Sequence, residues 1–328
     1  MSSEGEMTTT RYDRARGVLL GAAVGDALGA GYEFGSAHPG PDGPGMIGGG
    51  IGDFAPGEWT DDTAMTWSVA EVAARGLELA SARALTAVAK NFRTWLDSGP
   101  PDVGIQTRQV VRAAGHGPTG EQLAGAARHY AAQHAHSAGN GSLMRTAPVA
   151  LAHLGDPVAC ASAARAVSEL THADPLAGDA CVLWSLAIRH AVVHEEFDVR
   201  TGLDALDESS RERWEDLIDQ AEQRLPDTFT PNGFVVTAFQ AAWSAINHTV
   251  DGRDGEAHVR AALAEVIAVG DDTDTTASIA GALLGARWGA AQFPTQWREV
   301  CHGYPGIDSR DLEKMATDII DLQRDPTS

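Results

Sequence analysis

Apolar residues recur at helical spacing along most of the chain, and the alternating β-branched runs that mark strands are scarce. In residues 11–30 the apolar positions are Val18, Leu19, Ala22, Ala23 and Ala27. Residues 63–75 carry Met65, Val69, Val72 and Ala73, and Ala84, Val88, Phe92 and Trp95 form a third stripe. The same period predicts helices over 157–170, 176–193, 211–224, 233–248, 257–268, 276–290 and 308–323. The predicted class is therefore all-α.

Five glycines (Gly17, Gly21, Gly25, Gly281 and Gly285) fall inside predicted helices. Each costs about 1 kcal/mol against alanine in a helix interior. Close approach of two helices is the simplest compensation. Residues 35–57 are rich in Gly and Pro, and what precedes them is too short to be a domain. A long loop of lid type within one domain is expected there. No repeat of solenoid period is evident. Residues 11–325 thus read as a single domain, preceded by a polar, disordered tail over 1–10.

Charge and cysteine usage narrow the function classes. With 45 acidic against 24 basic residues the net charge is −21. That balance argues against a nucleic-acid binder that neutralises phosphates, and suits a site where cations offset local negative charge. The three cysteines, Cys160, Cys181 and Cys301, show no zinc-type spacing and no disulfide framework, which fits a reducing cytoplasm. The polar N-terminus has no apolar signal region, and no uninterrupted apolar run of membrane-spanning length is read, so no membrane partner is expected. Nothing demands more than a monomer.

Candidate chemistry sits in two acidic clusters far apart in the chain: Thr60-Asp61-Asp62-Thr63 and Asp271-Asp272-Thr273-Asp274-Thr275. Each opens an apolar helix and mixes carboxylates with hydroxyls, without histidine or cysteine. That set suits a hard cation such as Mg²⁺ or Mn²⁺. A plainer reading makes Thr60 an N-cap and the aspartates partners of the helix dipole. Against it, crowded carboxylates beside Trp59, Ala64 and Met65, or after 266–270, need counter-ions. If the fold joins the clusters, they form a two-metal site.

Five motifs in order carry a resemblance: Gly25-Asp26-Ala27-Leu28-Gly29 with Glu33; Gly57-Glu58-Trp59-Thr60-Asp61-Asp62-Thr63; Gly139-Asn140-Gly141-Ser142-Leu143-Met144-Arg145; Thr171-His172; and Gly270-Asp271-Asp272-Thr273-Asp274-Thr275. Together they resemble the ADP-ribosylglycohydrolase family. The resemblance implies a compact orthogonal helical bundle with two divalent cations, Mg²⁺ or Mn²⁺. Thr60, Asp61 and Asp62 would bind from one side, and Asp272, Asp274 and Thr275 from the other, with Asp274 bridging. Glu33, Asp62 and Asp274 would be the catalytic set, with Glu33 as general acid/base or gate and Asp26 supporting the ligands from behind. Ser137, Gly139, Asn140, Gly141 and Ser142 would hold the diphosphate, His172 the ribose or phosphate, and Asp102 the acceptor side. Two positions depart from the family. Asp271 stands where a second glycine is common. Ala138 stands where many relatives place an aromatic on adenine, leaving Tyr130, His134 or His136 as substitutes.

The reaction so implied is metal-dependent removal of ADP-ribose from a modified protein or small acceptor. ADP-ribosyl-arginine is favoured, because Asp102 suits a guanidinium. ADP-ribosyl-serine, ADP-ribose polymer and an inactive ADP-ribose binder are the alternatives. A terpene synthase is a distant one, since Asp61-Asp62 is not followed by an acid at position 65.

Overall fold

The computed structural model describes residues 3–323, with side chains from residue 10 onward. Fourteen α-helices occur among the described residues: α1 (Ser3–Gly29), α2 (Asp61–Ala73), α3 (Ala82–Asp97), α4 (Ile105–Ala113), α5 (Gly120–Gln133), α6 (Ala147–Ala152), α7 (Pro157–Glu169), α8 (Pro175–His194), α9 (Glu208–Gln223), α10 (Val235–Thr249), α11 (Gly255–Ala268), α12 (Thr273–Trp288), α13 (Thr295–Val300) and α14 (Ser309–Leu322). Every helix predicted from periodicity forms, and the all-α class holds. A two-residue hairpin, β1 (His302–Gly303) with β2 (Ile307–Asp308), is the exception to the helical pattern. The helical backbone of α1 begins at Ser3, within the stretch expected as a tail. Residues 324 and 325, the expected end of the domain, lie outside the described residues.

The helical glycines explain the architecture. α1 and α12 pack antiparallel, with Gly17 against Gly285, Gly21 against Gly281, Gly25 against Ala277 and Gly29 against Thr273. The pairs step by four residues, one face of each helix. A Cβ at Gly21 would lie 2.1 Å from the Gly281 carbonyl oxygen, so the backbones touch directly. The Thr273 hydroxyl closes the end of the seam by donating to the Gly29 carbonyl at 2.9 Å. Antiparallel packing sets the C-terminal end of α1, with Asp26, beside the N-terminal end of α12, with Asp274.

The rest of the core wraps this pair. Trp59, Trp95, Trp184 and Trp214 are buried in it. The Trp184 indole nitrogen donates to the Ile279 carbonyl at 3.1 Å and fixes α8 against α12. α8 is long and apolar enough, by length and composition, to cross a bilayer, although Asp179 and Arg189 interrupt its apolar run. However, 78% of its most apolar window is buried inside the fold, the setting of a core helix.

Candidate metal centre

Asp26 determines where the first cluster points. Its carboxylate accepts from the Thr60 amide (2.9 Å), the Thr63 amide (2.9 Å) and the Thr63 hydroxyl (2.6 Å). The two amides are orphan donors of the first turn of α2. Thr60, expected as the N-cap, makes no side-chain cap bond; a carboxylate from another helix caps α2 in its place. The Thr60 hydroxyl is thereby released to donate to Asp62 Oδ2 at 3.1 Å. Replacing Asp26 by alanine should cost about 1–2 kcal/mol for the cap alone, read as a lower midpoint in urea; an unchanged midpoint would contradict this role.

The two clusters meet. Thr275 Oγ1 donates to Asp62 Oδ2 at 3.3 Å, across 213 residues of chain. Oxygens of Asp26, Asp62 and Asp274 lie within 4.8 Å of one another, and so do oxygens of Glu33, Asp272 and Asp274. Asp274 belongs to both groups. Asp61 lies beside them, its Oδ2 accepting from the Gly104 amide at 3.2 Å.

A hard cation fits these residues. Asp62 Oδ1 is buried and has no hydrogen-bond partner. A buried acceptor left bare is costly unless something positive faces it. Burial first, then neighbouring carboxylates, pushes the acids upward: Asp61 to about 7 and Glu33 to about 9. Asp62 and Asp274 are raised well above the ordinary range, by burial and then by Asp26 and Asp62 respectively. Burial also lifts Asp26, to about 6, against the pull of its hydrogen bonds.

These shifts fix the sign of a pH effect. Carboxyls raised in the folded state bind more protons there than in the unfolded chain. Their stabilising contribution is therefore complete below about pH 4 and is lost as pH rises towards 9. Bound cations take over from the protons. Mn²⁺ should raise the melting temperature more at pH 8 than at pH 5, measured against EDTA. An equal or reversed difference would contradict the assignment.

A cavity of about 410 Å³ opens over the centre, lined among others by Glu33, Asp61, Asp102, Asp272, Asp274 and Thr275. Glu33 is buried where the backbone leaves the helical region (φ −56°, ψ 133°) just after α1. Asp271 adopts a positive φ of 54°, a conformation aspartate tolerates better than most residues. Asn140 lines the cavity and donates to Asp272 Oδ2 at 2.8 Å. His172 lines it too, buried and neutral: burial and then Arg145 hold it well below its ordinary range. Its Nδ1 pairs with the Thr171 hydroxyl at 2.8 Å.

Several expected contacts fall elsewhere. Ser142 is buried behind the loop, accepting from Ser168 Oγ at 2.9 Å. Ser137 gives its hydroxyl to Asp174 at 3.1 Å. Neither lines the cavity. The Asn140 amide is spent on the Gly233 carbonyl at 3.1 Å, so that amide is not free for a phosphate. The glycines instead admit His172, whose ring would lie 3.1 Å from a Cβ at Gly141. Tyr130 and His134 stack on each other at 3.9 Å, and with His136 they lie off the cavity. The apolar side chains that line it are Phe34, Ile51 and Ile105, which are exposed, and Val103 and Met144, which are buried.

Asn232 went unnoticed in the sequence. Fully buried, it accepts from the Asp272 amide at 2.9 Å and donates to the Gly270 carbonyl at 2.9 Å. Its own carbonyl accepts from Asn140 at 3.0 Å. It thus locks the second acidic loop to the glycine loop. Pro231-Asn232-Gly233 reads as an ordinary turn, so no local signal marks it.

Comparison with known proteins agrees with this geometry. The ADP-ribosylglycohydrolase family matches residues 7–328. The chain is 31% identical to an ADP-ribosyl-[dinitrogen reductase] glycohydrolase of Rhodospirillum rubrum, over 87% of this chain and 89% of that one. It is 30% identical to an ADP-ribosylarginine hydrolase of Pseudomonas putida, over 94% and 78%. A solved ADP-ribosylglycohydrolase-related protein complex contains a chain that superposes with a TM-score of 0.70 at 26% identity, covering 96% of this chain and 99% of that one. With both acidic clusters on one cavity and the family match spanning nearly the whole sequence, the chain belongs to the ADP-ribosylglycohydrolase family.

Proposed function

We propose that this protein hydrolyses the bond between the anomeric C1″ carbon of ADP-ribose and an acceptor arginine, using two divalent cations. The observation that carries the reading is the convergence of Asp62 and Asp274 from distant helix starts onto one cavity with a bare buried oxygen between them. Family membership supports ADP-ribosyl hydrolysis. The 30% identity to a protein named as an ADP-ribosylarginine hydrolase favours arginine. Three buried free cysteines accord with a reducing cytoplasm.

Thr60, Asp61, Asp62, Asp272, Asp274 and Thr275 would hold Mg²⁺ or Mn²⁺. Such ions supply Lewis-acid charge and lower the pKa of a bound water. The chain's own groups do the rest. Asn140 and Asn232 hold Asp272 in place. Neutral His172 offers Nε2 to a substrate hydroxyl without adding charge beside Arg145. Glu33, next to the cavity's carboxylates, transfers the proton between the departing nitrogen and solvent. Distant binding of the nucleotide would position C1″ over the carboxylates.

The direct test is a release assay on ADP-ribosyl-arginine and ADP-ribosyl-serine peptides, side by side. Turnover of the arginine substrate with Mg²⁺ or Mn²⁺, abolished by EDTA, is expected. Turnover of serine alone would overturn the acceptor, and full activity in saturating EDTA would overturn the metal mechanism.

A further inference from the structure

A second cavity, also about 410 Å³, lies on the other side of Asp61 and Asp102, which line both. Its walls differ from those of the first. Tyr304 gives it a partly exposed aromatic ring over the buried indoles of Trp59 and Trp95, and Glu58 adds a third carboxylate to Asp61 and Asp102. Among the described residues no lysine or arginine lines it, and His302 is its one basic side chain. The β1–β2 turn forms part of the wall: Gly303 lies flat on the Trp59 indole, where a Cβ would sit 2.4 Å from Nε1, and that nitrogen donates to the Tyr304 carbonyl at 3.2 Å. Tyr304 is braced edge-on against Trp67, centroids 5.7 Å apart. Three carboxylates beside an aromatic ring, with no lysine or arginine to compete, suit a planar, cationic side chain.

We propose that this second cavity is the acceptor subsite, which receives the guanidinium side chain while ADP-ribose occupies the first cavity. This rests on the hydrolase reading above and adds where the leaving group goes. In the reaction the water oxygen bonds to C1″ and the C1″–N bond breaks, leaving its electron pair on nitrogen. That nitrogen takes a proton, so the released group is a guanidinium cation. The second cavity is built to hold that product, and Asp61 and Asp102 stand between the two halves of the substrate.

Two substitutions away from the metal-binding side chains test this. Glu58→Gln removes a charge yet keeps an acceptor for the Ala55 amide, which Glu58 holds at 2.8 Å. Ser98→Arg places a cation at the exposed rim of the cavity. For metal-loaded enzyme, KM for ADP-ribosyl-arginine should rise about tenfold in Ser98→Arg and less in Glu58→Gln, as expected for charge repulsion at a binding surface. Inhibition by agmatine, a free guanidinium probe, should weaken in parallel, while kcat and inhibition by ADP-ribose stay unchanged. Unchanged KM and agmatine inhibition in both variants would overturn the proposal. Equal weakening of ADP-ribose inhibition would also overturn it. If the wild-type protein releases no ADP-ribose from arginine, the functional reading fails. Agmatine binding by calorimetry then still decides the cavity: weaker binding in the variants supports it, and equal or absent binding refutes it.

Discussion

Asp274→Asn is expected to lower ADP-ribose release by roughly 10³-fold, the scale on which loss of one positioned electrostatic group acts on a transition state. The same substitution should raise the melting temperature of the metal-free protein. Both effects have one cause. Burial first, then the charges of Asp62, Glu33 and Asp272 nearby, push the Asp274 carboxyl well above the ordinary range. At neutral pH without cations, that crowding is a cost the fold carries. Asparagine keeps the shape and removes the charge. It also removes the carboxylate common to both acidic groups, so affinity for Mn²⁺ should fall with activity. Retained activity, or a metal-free protein made less stable by the change, would show that Asp274 is held for packing and not for cations.

Gly281→Val should prevent folding, or leave a protein destabilised by about 3 kcal/mol or more, as overpacking without room to relax does. A Cβ at Gly281 would lie 2.0 Å from the Gly21 carbonyl oxygen. The obstacle is backbone, so no rotamer change relieves it. Parting α1 from α12 to make room would move Asp26 away from Asp274 and uncap α2. A milder change, Gly281→Ala, should therefore cost activity as well as stability if the variant folds. Loss of far-UV helical signal or of the cooperative urea transition reads the first effect. A wild-type transition in Gly281→Val would contradict the account of the seam.

Much of this was legible in the sequence, because helical periodicity and acidic clustering are local properties. The stripes Ala84–Val88–Phe92–Trp95 and Met65–Val69–Val72 form as read, and the glycines of α1 and α12 meet as their cost inside helices implied. Helices that are short or bury little were not legible. α6 has six residues, fewer than two turns, and α5 buries only Gly120, Leu123 and Ala127. The site was half legible. The identity of the acids could be read, but not which helix caps which. Thr60 looks like a cap because Asp26 is 34 residues away in sequence. The Ser142 hydroxyl and the Asn140 amide look like parts of an anion cradle because the bonds that engage them, with Ser168 and Gly233, are tertiary facts.

The most direct test of the central claim is anomalous diffraction from crystals of the wild-type protein grown with Mn²⁺. The account predicts two manganese peaks in the space between Asp62, Asp272 and Asp274, one of them against the bare Oδ1 of Asp62. Crystals saturated with Mn²⁺ that show no anomalous peak among those carboxylates would contradict it.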